Sequence, residues 1–386
     1  MTMAGTWWKD IDELKAEQSS LLDIDPDTNL LIKGPPGSGK TNLLLLRANQ
    51  LAIGERPNLH VVVFGSLLKQ FIQLGGAQYS FPPEKVVTHA RLFADILRAE
   101  GADIDSLGMT LDAARAARAS RLKELVDAGK SGVQFDALLL DEAQDYTAEE
   151  IRLFRGLTEV LVATADQRQR IYDVQDSSAV LKDCVDTVHE LKYHFRNGLE
   201  ICRLADGLHK GVAGYVPMQQ YSNYEEAAYP SKVLKKSGLS LNEQAVAIAA
   251  QATDQRFAYP DDLIGVLCPT NADLDVIEAG LHAAGLGHDI TRANDHDQFD
   301  SSRPIWLSTL TAAKGLEFRA VHIAGLDNLR KMGGAQKRLI FTGITRAKTA
   351  LTLYWHKSIP GYLETALLAV SPPKGPVSKK QIFGKN

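Results

Sequence analysis

NLLIKGPPGSGKTNLLLLRANQ, residues 29–50, passes from a short apolar run through a glycine-rich turn into a leucine-rich stretch of helical character. Strand, loop and helix in that order are the setting a phosphate-binding loop needs. Glycines let successive backbone N–H groups converge on phosphate oxygens, and the helix start adds the favourable end of its dipole. The turn and helix start supply a candidate nucleotide-binding set of Gly34, Pro35, Pro36, Gly37, Ser38, Gly39, Lys40, Thr41 and Asn42. Lys40 is placed to reach β- and γ-phosphates and Thr41 to hold Mg²⁺. A glycine turn that merely carried a surface lysine would require neither the strand before it nor the helix after it.

About a hundred residues on, FDALLLDEAQD (135–145) ends an apolar run at two adjacent carboxylates. Neighbouring side chains at a strand end point differently, so Asp141 is expected to hold Mg²⁺ while Glu142 faces an attacking water as general base. An acidic loop capping the next helix is the plainer alternative.

The remaining apolar runs of four to six residues alternate with longer helical patterns, which predicts βα units and parallel sheets. Strands are expected at 29–33, 60–64, 136–140 and 160–164, then at 263–267, 305–308, 320–324 and 350–354. The reading is an α/β chain of two lobes, residues 1–180 and 181–370, followed by a flexible tail over 371–386. The first lobe carries a small helical insert at about 98–133, rich in Ala, Arg and Leu.

The chain has 386 residues, 45% of them hydrophobic, enough for each lobe to bury its own core. No long apolar run marks a membrane span or a signal peptide, so no membrane partner is expected and the cytoplasm is the expected compartment. Three widely spaced cysteines, Cys184, Cys202 and Cys268, fit neither a disulfide framework nor a zinc site and read as buried thiols. The net charge of −4 does not by itself advertise a nucleic-acid partner. Its distribution is uneven, because residues 303–386 hold 14 Lys and Arg against three acids.

Taken with DEAQD, further motifs resemble those of superfamily 1 DNA helicases of the UvrD/Rep type, and they occur in that family's order from Gln18 to about Trp355. The resemblance implies two tandem RecA-like P-loop NTPase lobes with ATP between them. Gln18 resembles the glutamine that reads the adenine edge. VVVFGSLLKQF (61–71) and THARLFADIL (88–97) resemble motifs Ia and Ib, which puts Phe64, Ser66, Thr88 and His89 on the nucleic-acid strand. TADQRQRIY (164–172) resembles motif III, with Gln169 as γ-phosphate sensor and Tyr172 toward the strand. LKYHFRN (191–197) resembles motif IV, making Arg196 an arginine finger and Phe195 the ring that stacks on adenine. TLTAAKGLEF (309–318) resembles motif V, with Glu317 at the ribose and Thr309 and Thr311 at the strand. RLIFTGITRAK (338–348) resembles motif VI, with Arg346 as the second finger.

This implies an ATP-dependent single-stranded DNA translocase or helicase, moving 3′ to 5′, with DNA favoured over RNA. The sequence departs from the family in three places: the stretch after Tyr172 is Asp173, Val174 and Gln175, without the family's aromatic and arginine; Thr311 stands where a histidine is common; and the large inserted domain of the second lobe is missing. Those departures motivate a second reading, a nucleic-acid-stimulated ATPase switch acting on a partner nuclease or a repair or defence factor. A P-loop phosphotransferase of another class is the third.

Overall fold

The computed structural model describes residues 11–54, 56–75, 79–166, 177–212, 215–293, 300, 302–329 and 334–370. In the first half, α1 (Ala16–Leu22) precedes β1 (Leu30–Lys33), α2 (Lys40–Ile53), β2 (Leu59–Val63) and α3 (Ser66–Gly75). Then come β3 (Val86–Thr88), α4 (His89–Ala99), α5 (Leu111–Asp127), β4 (Phe135–Leu140), α6 (Ala148–Leu157), β5 (Thr158–Ala165), α7 (Ser178–Asp183) and β6 (Thr187–Glu190). These six strands form one parallel sheet in the order β3-β2-β4-β5-β1-β6. The second half runs through α8 (Leu199–Leu208), β7 (Lys232–Lys236), α9 (Leu241–Ala258), β8 (Ile264–Cys268), α10 (Asn271–Ala283) and β9 (Ile290–Arg292). It closes with β10 (Ile305–Thr309), β11 (Phe318–Ile323), α11 (Gly334–Ile344), β12 (Ala347–Tyr354) and α12 (Gly361–Val370). Its sheet is also parallel, in the order β7-β12-β11-β8-β10-β9.

Two sheets of parallel strands with helices between them give an α/β fold of two lobes, as expected. The central strands are continuous apolar runs because helices cover both faces, and Leu30 to Ile32, Ala137 to Leu140 and Val266 to Cys268 are all at most 1% exposed. All eight expected strands form, within three residues of their expected ends. The four not expected are β3, β6, β7 and β9, and each is a sheet edge.

One of these edges bears on where the first lobe ends. The first lobe was expected to end at residue 180, but β6 hydrogen-bonds along β1 from Leu30 opposite Thr187 to Lys33 opposite Glu190, so the first sheet extends ten residues further. The insert expected at about 98–133 contains one helix, α5, capped by the Thr110 hydroxyl and packed against α4 and α6. Cys202 and Cys268 are buried as expected, whereas Cys184 is partly exposed. No helix among the described residues is long and apolar enough to cross a membrane. The tail at 371–386 lies outside the described residues.

Candidate functional site

In both sheets the loops that follow the central strands turn toward the same cleft. After β1, the glycine-rich turn holds Gly37 and Gly39 at φ of +74° and +87°, in the left-handed region that side chains disfavour. A Cβ on Gly37 would lie 2.5 Å from Cβ of Arg196, so the absence of a side chain is what lets the second half approach the loop. Phe195 fixes that approach by donating its N–H to the Gly37 carbonyl at 3.0 Å. Gln18 donates from Nε2 to the Ser38 carbonyl at 2.9 Å, which ties α1 to the turn. Lys40 at the start of α2 donates from Nζ to the carbonyls of Gly34 and Pro35, both at 2.9 Å. Thr41 donates its hydroxyl to Asp141 Oδ2 at 2.9 Å.

Asp141 and Glu142 do diverge, but not by strand alternation as expected. β4 ends at Leu140, and Glu142 sits at φ +51°, the lone non-glycine residue with positive φ among the described residues. Such a conformation costs about 1–3 kcal/mol and persists where surrounding contacts determine it. Thr164 at the end of β5 supplies them: its hydroxyl donates to Asp141 Oδ1 at 2.6 Å and accepts the Glu142 N–H at 3.0 Å. Gln144 joins by donating to Glu142 Oε2 and accepting the Asp166 N–H.

Burial raises the Asp141 carboxyl above the usual range, and the Glu142 charge adds to that. Burial also pushes Glu142 upward, but the positive charges of Lys314 and Lys40 outweigh it and hold Glu142 below the ordinary glutamate value.

The second half contributes cations. Arg346, at the junction of α11 and β12, is 1% exposed and donates to the carbonyls of Thr342 and Leu316 at 3.0 and 2.9 Å. Burial, reinforced by the nearby Arg196 charge, pulls its guanidinium down to about 9. Arg196 donates to Glu317 Oε2 at 2.5 Å, and Lys348 pairs with the other Glu317 oxygen at 2.7 Å. Despite burial, those two cations hold Glu317 at about 2. Asn197, also buried, donates to the carbonyls of Thr345 and Ala347, so both arginines are anchored to one frame.

A cavity of about 70 Å³ is lined by Gly37, Gly39, Lys40, Thr41, Asn42 and Glu142 from the first half and by Arg196, Gly315, Glu317 and Arg346 from the second. Asp141 and Phe195 stand behind its wall, each one hydrogen bond from a lining residue, and Gln18 bonds to Ser38 between the lining Gly37 and Gly39. A larger cavity of about 740 Å³ opens on the far side of Gly34 and Pro35. It lacks Lys40, Thr41, Glu142 and both arginines, so the smaller cavity is the one with the chemistry.

The described residues expected at the strand are less enclosed than those around the small cavity: His89 is buried, Phe64, Ser66, Thr88 and Thr309 are half-buried. The Phe64 ring stacks on His89 at 4.7 Å between centroids, with the Arg115 guanidinium 5.0 Å over its face. His89 is 7% exposed, so packing beneath Phe64 takes up its ring. Thr88 and Thr309 use their hydroxyls to accept backbone N–H groups of Arg91 and Ala312. Thr311 is exposed, and Ser66 opens α3. Gln169 and Tyr172 lie outside the described residues.

Residues 304–354, nearly all of β10 through β12, match the family profile of the UvrD-like helicase C-terminal domain. The matched stretch carries Thr309, Thr311, Glu317 and Arg346 together with Lys314 and Lys348, which were not among the expected site residues. Both lysines stand inside segments already singled out, so the signal for them was present. Among solved structures the chain is similar to the C-terminal domain of a possible DNA helicase from Lactobacillus plantarum WCFS1, with 19% identity, 46% of this chain and 96% of that one covered, and a TM-score of 0.33. It is also similar to PRRSV helicase, with 16% identity, 88% of this chain covered and a TM-score of 0.42. This chain spans 54% of that protein. No curated protein matches it in sequence.

Proposed function

We propose that this chain is an ATP-dependent translocase or helicase on single-stranded DNA, hydrolysing ATP in the cleft between lobes that meet in the segment 191–198. The observation that carries the reading is the small cavity walled by Lys40, Thr41 and Glu142 on one side and by Arg196 and Arg346 on the other. Phosphoryl transfer asks a protein mainly to position groups and stabilise charge. Here Lys40 and the loop N–H groups hold the β- and γ-phosphates, Gln18 and Phe195 border the base, and Glu317 borders the ribose. Glu142 takes the proton of the attacking water, and Arg196 and Arg346 neutralise charge developing on the γ-phosphate, with Gln169 as sensor.

The Thr41 hydroxyl and the Asp141 carboxylate, 2.9 Å apart, are hard oxygen donors that suit Mg²⁺, which is commonly held by one or two carboxylates plus phosphates. When bound, the ion neutralises phosphate charge. Closure of the lobes completes the site, so turnover and movement are coupled. Phe64, Ser66, Thr88, His89, Thr309, Thr311 and Tyr172 form the strand side, with backbone contacts that make binding salt-sensitive and largely sequence-independent. A 3′-to-5′ direction, a cytoplasmic location and a preference for DNA over RNA complete the proposal.

The test is steady-state ATP turnover against single-strand length, with DNA and RNA side by side and Glu142→Gln as control. A motor gives turnover that rises with strand length, and the control binds ATP but loses at least about 10²-fold in rate. Saturation at a short oligonucleotide would favour a switch that acts on a partner nuclease or repair factor. Lack of stimulation by any strand would favour another P-loop phosphotransferase.

A further inference from the structure

Lys314, in the turn after β10, reaches across the cleft into the acidic turn of the first half. Its side chain is 8% exposed, ion-paired with Asp145, and 3.8 Å from Glu142 Oε2. Asp145 is fully buried, and its other oxygen, Oδ1, is buried without a hydrogen-bond partner. A buried ion pair with one carboxylate oxygen unsatisfied is a poor way to gain stability, since apolar residues of similar volume often do as well or better. The same pair is well suited to an ammonium shared between two carboxylates, because a lysine carries three donors on a flexible stem.

The surroundings connect this ammonium to both sides of the cleft. A cavity of about 30 Å³ is lined by Glu142, Asp145 and Lys314 and also by Phe64 and Thr311 on the strand side. Next to Lys314, Gly315 sits at φ +86°, where a Cβ would come within 2.8 Å of the Leu68 side chain on α3. The turn is therefore seated against the helix that follows Phe64, and movement of that turn carries Lys314 with it.

We propose that Lys314 is a positioning residue, latching the two lobes through Asp145 and aligning the Glu142 carboxylate according to the state of the 309–317 turn. The assignment rests on the ATPase reading above. It makes the ammonium the link by which a strand lying on Thr311 and Phe64 changes turnover, without touching nucleotide or water itself.

Two measurements on the full chain test it. In the first, ATP turnover is followed with and without saturating oligothymidylate for wild type, Lys314→Met and Lys314→Arg. Lys314→Met is expected to lower stimulated kcat about tenfold or more while KM for ATP stays within about threefold, bringing the stimulation ratio toward one; Lys314→Arg recovers most of it. A loss of active protein with an unchanged ratio would mean a purely structural lysine and would overturn the proposal. In the second, denaturant unfolding of Lys314→Met, Asp145→Asn and the double variant gives the coupling between the pair. Additive effects would remove the latch. Should wild type hydrolyse no ATP with any strand, the ATPase reading falls, while the unfolding cycle still decides whether Lys314 joins the lobes.

Discussion

The proposed nucleotide side and the proposed strand side of the cleft are built from different materials. On the nucleotide side, charged groups are buried and held by one another: Arg346 is 1% exposed, Glu317 is clamped between Arg196 and Lys348, and Asp145 meets Lys314. On the strand side, aromatic rings stack on one another, and the Thr88 and Thr309 hydroxyls serve local backbone. Charges removed from water are costly unless partnered, so each one fixes its neighbours in place. Stacked rings tolerate small displacements. The contrast teaches that the nucleotide side is set by the meeting of the lobes, whereas Phe64, His89 and Arg115 come entirely from the first half.

The sharpest way to break this comparison is Arg346→Ala. If the buried guanidinium serves the γ-phosphate, kcat falls by about 10³-fold or more with little change in nucleotide affinity. Arg346→Lys in the same assay checks that the fold survives, because it keeps a charge while losing the planar fork. A rise in KM alone would detach Arg346 from the chemistry.

A smaller effect is expected across the cleft. Base–aromatic stacking is worth about 1–3 kcal/mol per base, so Phe64→Ala should weaken oligothymidylate binding at least about fivefold in anisotropy measurements at fixed salt. Unchanged affinity would make the Phe64–His89 pair a packing contact and nothing more.

The smallest effect concerns protonation. Burial pushes His89 down to about 4 in the first lobe and His322 down to about 3 in the second. A histidine depressed below its unfolded value of 6.5 stabilises the fold above that value, and the stability is lost as pH falls toward the folded value. Each such group therefore contributes up to about 1.4 kcal/mol of lost stability per pH unit below 6.5. Burial raises Asp145 to about 6, which acts in the opposite direction between pH 4 and 6. Single-variant differences separate the two: His89→Gln should flatten the fall in urea-unfolding stability between pH 6.5 and 5 relative to wild type. An unaltered slope would show that His89 is not held neutral.

How far the sequence could be read depended on where each signal is stored. The glycine-rich turn and the carboxylate pair were legible because each lies on a few consecutive residues at the end of a buried strand. Central strands were legible because burial on both faces demands unbroken apolar runs, as in Leu138 to Leu140. Edge strands escaped: Thr187–Glu190 and Lys232–Lys236 have exposed or half-exposed positions along their length and no such run.

By itself, then, the sequence determined which segments form the two sheet cores and which side chains could carry phosphate chemistry, because hydrophobic periodicity and turn composition are local properties. Only the tertiary structure decided that Arg196 rests on Gly37, that Thr164 holds Glu142 at positive φ, and that Lys314 crosses to Asp145. Those arrangements join residues distant in the chain, and the energy of a buried charge depends on partners that only packing brings within reach.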